Sequence, residues 1–244
     1  MTVSVEPVAI LSDNYAWLLR DRATGAVAIV DPAEAGPIEA AIDRAGGRLD
    51  LILLTHHHAD HVGATDPIRA RYGAPVVGAS ADAHRLPRLD RAVAEGDTVA
   101  LGDSVARVID TPGHTRGHIA YFFAEGEAGP VLLCGDTLFS LGCGRLIEGT
   151  AQEMFASLRK LAALPPDTLV SCGHEYTAAN ARFALAADPA NAALQARAER
   201  VKALRAAGTP TLPSRLADEL AENPFLRAPD AARFADLRAR KDRF

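Results

Sequence analysis

The stretch LILLTHHHADHVG, residues 51–63, joins an apolar run to a dense set of metal-binding side chains. Four histidines and one aspartate fall within six consecutive positions. If the extended backbone of the predicted strand continues briefly, His56 and His58 share one face and the histidine between them takes the other. Asp60 and His61 follow where a helix is predicted to begin. The segment thus offers two imidazoles to one point and a carboxylate plus an imidazole to a neighbouring point, which outlines a two-metal site.

Three further candidate ligands each follow a predicted apolar strand, and each comes directly after a glycine. They are His114 in TPGHTRGH, Asp136 in LLCGDTLF and His174 in VSCGHEY. Because glycine lets the backbone turn sharply, each ligand can be brought inward at the end of its strand. Strand-end loops often gather at one rim of a fold to build a site. We therefore expect these side chains to meet the cluster at residues 56–61.

The types of side chain indicate the kind of metal site. Imidazole and carboxylate suit zinc, iron or manganese, whereas a structural zinc more often has cysteines in a closed shell. The predicted set includes no cysteine, which favours an open catalytic site. A single histidine such as His114 or His174 would more often be an ordinary core or loop residue, so the argument depends on the combination.

Four other candidate residues receive no ligand role. His57 lies on the opposite face of the extended segment from His56 and His58. His84 lies in a polar segment, and His118 begins a predicted strand. Asp31, which ends VAIVD, has two interpretations. It is either an ordinary turn residue at a strand end, or the acceptor for a hydrogen bond from a ligating histidine. The sequence leaves both open.

Composition excludes several classes of protein. The chain has 244 residues, 48% apolar and 23% charged, as expected of an ordinary globular protein. A net charge of −5 gives no electrostatic sign of nucleic-acid binding. No apolar run approaches the roughly 20 residues of a membrane span, and the N-terminus lacks a signal-peptide pattern. Three scattered cysteines fit a reducing compartment. We therefore expect a cytoplasmic monomer that binds neither nucleic acid nor membrane.

Short strands alternate with helices in the first two thirds of the chain, which is typical of sheets covered by helices. Runs of Val, Ile, Leu and aromatic residues predict strands at Val3–Ile10, Tyr15–Arg20, Ala26–Asp31, Leu49–Thr55, Ala74–Gly78, Ala106–Asp110, His118–Phe123, Val131–Gly135 and Thr168–Cys172. Helices are predicted at Pro37–Ala45, Ala64–Tyr72 and Ala151–Leu161. Thr150 is the predicted N-cap of the last, with Glu153 completing a capping box.

The composition changes after about Tyr176. Ala, Arg and Leu, which are strong helix formers, dominate the remaining chain, and Pro189 divides its first part into two helices. This change predicts two domains, residues 1–174 with the metal site and residues 175–244 as a helical domain. The helical part either completes the core or also contacts the substrate.

Several motifs, in their order and spacing, resemble a known family. They are SDNYAWLL, VDP, THHHADHVG, TPGHTRGHI, CGDTLF, CGHEYT, PSRL with NPFLR, and the terminal RARKDRF. The His-x-His-x-Asp-His loop resembles that of the metallo-β-lactamase superfamily. The further motifs resemble the hydroxyacylglutathione hydrolases, or glyoxalase II enzymes, from about residue 10 to the last residue. The resemblance implies a four-layer αββα sandwich with a C-terminal helical domain.

The resemblance also implies a metal site with two divalent ions, most often zinc, with iron or manganese as alternatives. One ion would be held by three histidines, the other by an aspartate and two histidines, with a second aspartate bridging both. The implied residues are His56, His58 and His114 for the first ion, Asp60, His61 and His174 for the second, and Asp136 as the bridge. Asp60 and Asp136 are the implied catalytic carboxylates.

The family's substrate-binding residues map partly onto this chain. Tyr176 and the tail cations Arg238 and Lys241 match, and the two cations lie three apart on one helix face. Where the family carries a Lys-x-Tyr pair, this chain has Arg145 and Ile147. Arg145 retains a cation that can grip a carboxylate, but Ile147 lacks the phenol, which implies weaker binding of glutathione by about 1 kcal/mol. The competing interpretation is that the tail cations are solvated surface charges.

The implied reaction is hydrolysis of an S-2-hydroxyacylglutathione thioester, such as S-D-lactoylglutathione, by hydroxide generated at the metal pair. Three alternatives remain open from the sequence. One is a glutathione persulfide dioxygenase with a single iron, and another is a metallohydrolase of a different thioester, phosphoester or lactone. The third is a zinc-holding interaction module without catalytic activity.

Overall fold

The structure, a computed structural model, describes residues 2–244. Its strands are β1 (Val3–Ile10), β2 (Asn14–Asp21), β3 (Val27–Val30), β4 (Leu51–Leu53), β5 (Val76–Ala79), β6 (Arg91–Val93), β7 (Thr98–Leu101), β8 (Ser104–Asp110), β9 (Ile119–Phe123), β10 (Val131–Gly135), β11 (Leu138–Phe139), β12 (Gly142–Cys143), β13 (Leu169–Cys172) and β14 (Ser214–Arg215). Its α-helices are α1 (Ala35–Arg44), α2 (Ala59–Val62), α3 (Thr65–Tyr72), α4 (Ala151–Ala162), α5 (Thr177–Ala187), α6 (Ala192–Ala206), α7 (Leu216–Glu222) and α8 (Ala231–Asp242).

Two six-stranded sheets form the centre of the described residues. The first has the order β1-β2-β3-β4-β5-β6 and the second β14-β13-β10-β9-β8-β7. Their faces pack on each other through the apolar core, and buried hydrogen bonds also connect them. Tyr121 Oη in β9 donates to Leu54 O at 3.0 Å, and Trp17 Nε1 in β2 donates to Cys172 O at 2.9 Å. The polar tips of these two aromatic residues thus connect the sheets across the apolar core.

Helices cover the outer sides of this pair of sheets. α1 packs on β1, β2 and α3 at the first sheet. α4 lies near the end of β8, where Ser157 Oγ donates to Pro112 O at 2.7 Å, and it packs against α8. The order of helix, sheet, sheet and helix agrees with the predicted sandwich.

The C-terminal helices are joined to the second sheet. β14 pairs antiparallel with β13, so residues after 174 contribute a strand to the sheet that carries three of the predicted ligand loops, those of His114, Asp136 and His174. α5 ends at Ala187 and α6 begins at Ala192, on either side of Pro189, as the sequence predicts. The division into domains at residues 174 and 175 stays a prediction.

All nine predicted strands are present, and most bounds agree within two residues. β4 is shorter than predicted because the Thr55 N–H donates to the Asp31 carboxylate at 2.8 Å instead of continuing the ladder. Sequence analysis missed β6, β7, β11, β12 and β14. These strands have two to four residues each, which is too short for a periodic pattern to stand out.

Within residues 2–244, no helix combines the length and the apolar character that crossing a bilayer requires. The three cysteines, Cys134, Cys143 and Cys172, are buried free thiols.

The capping box at the start of α4 leads to a stability prediction. Thr150 Oγ1 accepts from Glu153 N at 3.2 Å, and Glu153 Oε2 accepts from Thr150 N at 2.7 Å. Thr150→Ala leaves the N–H of Glu153 without its acceptor, so we expect the free energy of unfolding to fall by about 1 kcal/mol. Urea denaturation followed by circular dichroism measures the change. The exposed neighbour Gln152, changed to Ala, is the control and should stay within about 0.5 kcal/mol of the parent. Equal stability of both variants would show that the cap contributes nothing.

Candidate metal centre and its cavity

The predicted ligands lie at one rim of the paired sheets, each just beyond a strand. The segment after β4 carries His56 and His58 and leads into α2. His114 follows β8, Asp136 follows β10, and His174 follows β13. Both sheets therefore contribute, and the expected convergence of these loops is found.

Three of the histidines form a first group. Their ligand nitrogens, from His56, His58 and His114, lie within 4.8 Å of one another. His58 Nδ1 is 3.1 Å from His56 Nε2 and 3.0 Å from His114 Nε2. Burial lowers the pKa of all three imidazoles, so each has a free nitrogen lone pair at neutral pH. Three neutral imidazoles directed at one point can bind a divalent cation.

A second group lies beside the first and consists of Asp60, His61 and His174. Asp60 Oδ2 is 3.9 Å from His61 Nε2 and 3.5 Å from His174 Nε2. Asn14 Nδ2 donates to both Asp60 O and Asp60 Oδ2 at 3.1 Å, which holds this half-exposed carboxylate in place.

Asp136 lies between the two groups. Its Oδ2 is 3.4 Å from His114 Nε2 and 3.4 Å from His174 Nε2, and its Oδ1 is 3.3 Å from His61 Nε2. Burial alone would raise the pKa of this carboxyl group, but the nearby His61 and His174 lower it well below the usual range. A carboxylate is thus maintained at the one position that contacts both groups.

Two buried polar atoms in the centre lack hydrogen-bond partners. These are His61 Nε2 and Asp136 Oδ1, which approach each other without the alignment of a hydrogen bond. Such atoms are costly to bury unless something pairs with them. A divalent cation would satisfy both, and the imidazole and carboxylate donors are types that divalent metals accept. The residues present therefore fit a metal centre.

The remaining ring nitrogens of three histidines are held by acceptors outside the centre. His61 Nδ1 lies 2.9 Å from Asp31 Oδ2, and His174 Nδ1 lies 3.0 Å from Asp13 Oδ1. His114 Nδ1 lies 3.0 Å from Arg145 O. These contacts direct each Nε2 inward, which is how proteins orient imidazole ligands. Of the two interpretations of Asp31, the structure supports the hydrogen-bond acceptor.

His118, to which no role was assigned, is a buried part of the site. Its Nε2 accepts from the backbone N–H of Asp136 at 3.1 Å, and its Nδ1 lies 2.8 Å from Thr111 Oγ1. Its ring stacks on His56 with centroids 4.8 Å apart. His118 thus fixes the backbone of Asp136 rather than joining the ligand groups. Its only sequence signal is its place in the GHTRGH motif.

Glycine is required before two of the ligands for steric reasons. Gly135 has φ +45°, and a Cβ there would lie 2.4 Å from Thr55 Oγ1. At Gly173 a Cβ would lie 2.6 Å from Asp136 Oδ1 and 2.6 Å from His61 Cε1. A side chain at Gly173 would occupy the space of two ligands, and one at Gly135 would displace Thr55 and His118, which support the centre.

A cavity of about 730 Å³ opens above the centre. It is lined by ligand residues together with all four predicted substrate-binding residues, Arg145, Tyr176, Arg238 and Lys241, and by Ile147. The Tyr176 ring stacks on His174, with centroids 4.5 Å apart and an interplanar angle of 7°. Burial, together with the charge of Asp13, raises the pKa of Tyr176 to about 12, so its hydroxyl stays protonated at neutral pH.

The two tail cations, Arg238 and Lys241, differ in how strongly other protein groups already bind them. Arg238 is 4% exposed, and its guanidinium donates to Cys143 O at 2.9 Å and to Asp242 Oδ1 at 2.8 Å. Lys241 Nζ has a longer contact, 3.3 Å, with Ala179 O. Lys241 is therefore the freer cation at the cavity, while Arg238 also supports the cavity wall.

Family comparisons agree with this geometry. Residues 11–174 match the metallo-beta-lactamase superfamily, and residues 175–244 match the hydroxyacylglutathione hydrolase C-terminus. The hydroxyacylglutathione hydrolase of Acidiphilium cryptum (strain JF-5) is 58% identical over 241 residues, which cover 99% of this chain and 97% of that protein. The chain belongs to the hydroxyacylglutathione hydrolase family.

Solved structures share the fold of this hydroxyacylglutathione hydrolase family member. ETHE1 from Myxococcus xanthus aligns with a TM-score of 0.72 and 25% identity, covering 97% of this chain and 90% of that chain. The protein TTHA1623, solved in a di-iron-bound form, aligns with a TM-score of 0.59 and 30% identity, covering 69% of this chain and 91% of that chain. The predicted family and the mixed α/β fold with a C-terminal helical region are thereby confirmed.

The contact between Asp31 and His61 leads to a prediction about metal affinity. Asp31→Asn keeps the shape of the side chain but removes the charge that orients the His61 ring. We expect the affinity for zinc to fall by about 10- to 100-fold. A competition titration against a chromophoric chelator measures this affinity. Asp43→Asn, an exposed change in α1, is the control and should have no effect. An unchanged affinity in Asp31→Asn would mean that Asp31 serves only the local turn.

Proposed function

We propose that this chain hydrolyses S-2-hydroxyacylglutathione thioesters, such as S-D-lactoylglutathione, to a 2-hydroxy acid and glutathione. The observation that carries the proposal is the meeting of seven ligand-type side chains at the floor of a cavity with cationic side chains in its walls. Membership of the hydroxyacylglutathione hydrolase family supports the choice of substrate. A thioesterase assay combined with metal analysis of the same sample tests it directly.

The proposed centre holds two divalent ions, with zinc as our first choice and iron or manganese as alternatives. His56, His58 and His114 would hold one ion, and Asp60, His61 and His174 the other. Asp136 would bridge them, because its two oxygens face both groups. The two metal ions would act as Lewis acids, which would lower the pKa of water and stabilise a developing oxyanion.

The protein side chains would orient the reacting groups. Asp60 lines the cavity with a half-exposed side chain, so its carboxylate would orient water beside the metal centre. Asn14 holds this carboxylate, and His118 holds the backbone of Asp136, so neither carboxylate needs to rearrange during the reaction.

The leaving group explains why the site needs no strong general acid. A thiol has a pKa of about 8.5, so a thiolate can depart from a tetrahedral intermediate without being protonated first. An amine leaving group would require a proton donor. Tyr176, the hydroxyl donor beside the ligands, has a pKa too high for efficient acid catalysis at neutral pH. The pKa values of the two leaving groups therefore favour thioester over amide hydrolysis.

Recognition of glutathione would use the cations of the cavity wall, since glutathione carries two carboxylates. Arg145 and Lys241 are the proposed partners of these carboxylates, and Arg238, on the same helix as Lys241, adds a third cation to the cavity wall. Tyr176 would contact the substrate near the metal centre, where its ring lies against His174. Ile147, 59% exposed at the cavity edge, offers only apolar contact there.

The other hypotheses fit less well. A single-iron dioxygenase would bind only one ion, so the second ligand group, Asp60 with His61 and His174, would bind none. A purely structural zinc module would not require a large cavity above the ligands. Hydrolysis of another thioester or ester uses the same centre, and the assay distinguishes it by comparing glutathione thioesters with simple thioesters.

The ligand assignment predicts the effect of removing one imidazole. We expect His58→Ala to lose most hydrolysis of S-D-lactoylglutathione while keeping the wild-type circular dichroism spectrum. The reason is that one of three nitrogens holding the first ion is lost. His84→Ala, which changes an exposed histidine outside both ligand groups, should keep full turnover. Near wild-type activity in His58→Ala would disprove the assignment.

Lys241 leads to a prediction about pH. Burial, together with the charges of Arg238 and Arg182, lowers its pKa to about 8. The ammonium is therefore present below this pH and is lost above it. We expect KM for the glutathione thioester to rise as the pH passes upward through about 8, because a partner of a substrate carboxylate disappears. Lys241→Arg should reduce this rise, since arginine stays charged. Parallel KM profiles in the two proteins would exclude Lys241 from substrate binding.

A further inference from the structure

A network of ion pairs lies behind the cavity wall, outside the ligand groups. Arg85 donates from Nε and Nη2 to Asp82 Oδ1, at 3.2 and 2.6 Å. It also donates from Nη2 to Glu148 Oε2 at 3.0 Å, and its Nη1 pairs with Glu148 Oε1. Asp82 is 2% exposed and the other two side chains are partly shielded, which distinguishes the network from ordinary surface pairs. We call Asp82, Arg85 and Glu148 the brace.

One end of the brace packs against two ligand-bearing segments. Asp82 Oδ2 lies 3.2 Å from Nδ1 of His57, the histidine between the two first-group ligands of its loop. Asp82 also lies directly against the backbone at Gly117, where a Cβ would be 2.2 Å from Asp82 Cγ. This close approach requires glycine at the end of the His114 loop. Asp82 thus touches the loops of both His58 and His114.

The other end fastens the segment 145–149 to the same His114 loop. Glu148 Oε2 accepts from Arg116 N at 2.9 Å, and Glu148 N donates to His114 O at 3.2 Å. One residue later, Gly149 N donates to Gly113 O at 3.0 Å. The two stretches of backbone therefore lie side by side, with the brace closing the gap between the Glu148 carboxylate and Asp82.

The fastened segment serves the cavity in two ways. The carbonyl of Arg145 accepts from His114 Nδ1, and the Arg145 side chain lines the cavity. Any shift of this segment would change the orientation of a ligand ring and the position of a cation together. The brace itself lies outside the cavity, since Asp82, Arg85 and Glu148 line a separate surface hollow.

We propose that Arg85 is a positioning residue that, by joining Asp82 to Glu148, fixes the 145–149 segment against the His114 loop. Through this segment it sets the orientation of the His114 ring and the place of Arg145. The contribution to substrate turnover rests on the proposed function. The contribution to segment order and metal affinity does not.

The test compares Arg85→Ala and Arg85→Lys with wild type. Three quantities are measured: zinc affinity by chelator competition, hydrogen exchange of the backbone amides of Arg116 and Glu148, and kcat and KM for S-D-lactoylglutathione. Arg71→Ala is the matched control, because Arg71 also pairs with a carboxylate, that of Glu39, but lies on α3 away from the cavity.

For Arg85→Ala we expect faster exchange of both amides and zinc binding weaker by about tenfold. We expect kcat/KM to fall by about tenfold or more, with a raised KM, since a misplaced binding group costs this much. Arg85→Lys should be intermediate, because an ammonium can pair with one carboxylate but cannot bridge two as the planar guanidinium does. Arg71→Ala should match wild type in all three.

The outcomes separate this inference from the proposed function. If wild type does not hydrolyse the thioester, the proposed function fails, while exchange and zinc affinity still decide whether the brace positions the segment. If Arg85→Ala only melts at a lower temperature, with exchange, zinc affinity and KM unchanged, the brace is merely structural and the inference is overturned. If Arg85→Ala does not fold, Arg85→Lys gives the decision, and wild-type values in that variant overturn the inference.

Discussion

The carboxylate of Asp136 is the interaction on which the rest of the centre depends. A buried carboxylate is unfavourable unless cations or hydrogen-bond donors surround it. Here His61, His114 and His174 lie within 3.4 Å of its oxygens, and one oxygen still lacks a hydrogen-bond partner. Two groups of ligands are thereby joined around one charge. Without that charge the histidine groups would be separate clusters, each crowded by imidazoles and without a shared counter-charge.

Hydrogen bonds from distant parts of the fold hold the backbone on both sides of Asp136. His118, immediately before β9, accepts a hydrogen bond from the Asp136 N–H. The hairpin β11–β12, which follows Asp136, is held by residues of the C-terminal helical region. Asn223 donates from Nδ2 to Phe139 O and Gly142 O at 3.1 and 2.9 Å, deep inside the protein. Because β14 also joins the second sheet, residues after 174 and the metal-bearing residues share one sheet.

The cavity wall shows the same dependence on distant parts of the chain. The spacing of Arg238 and Lys241 indicated a shared helix face, and α8 presents both side chains to the cavity. Their roles diverge because their neighbours differ. Arg238 donates to Cys143 O and Asp242, whereas Lys241 has one long hydrogen bond, to Ala179 O, and a lowered pKa. The sequence predicts the same role for Arg238 and Lys241, but the structure shows that Lys241 is more available to a ligand than Arg238.

The sequence by itself determined the kinds of ligand and the strand preceding most of them, because these features follow from local chemistry and local backbone geometry. Its strand and helix predictions agree with most of the elements for the same reason. Only the tertiary structure decided that Asp31 faces His61, that His118 holds Asp136, and that Arg85 links Asp82 to Glu148. Asp31 and His61 are 30 residues apart, His118 and Asp136 are 18 apart, and Arg85 and Glu148 are 63 apart. Their contacts arise from the packing of two sheets and their loops, which no local pattern encodes.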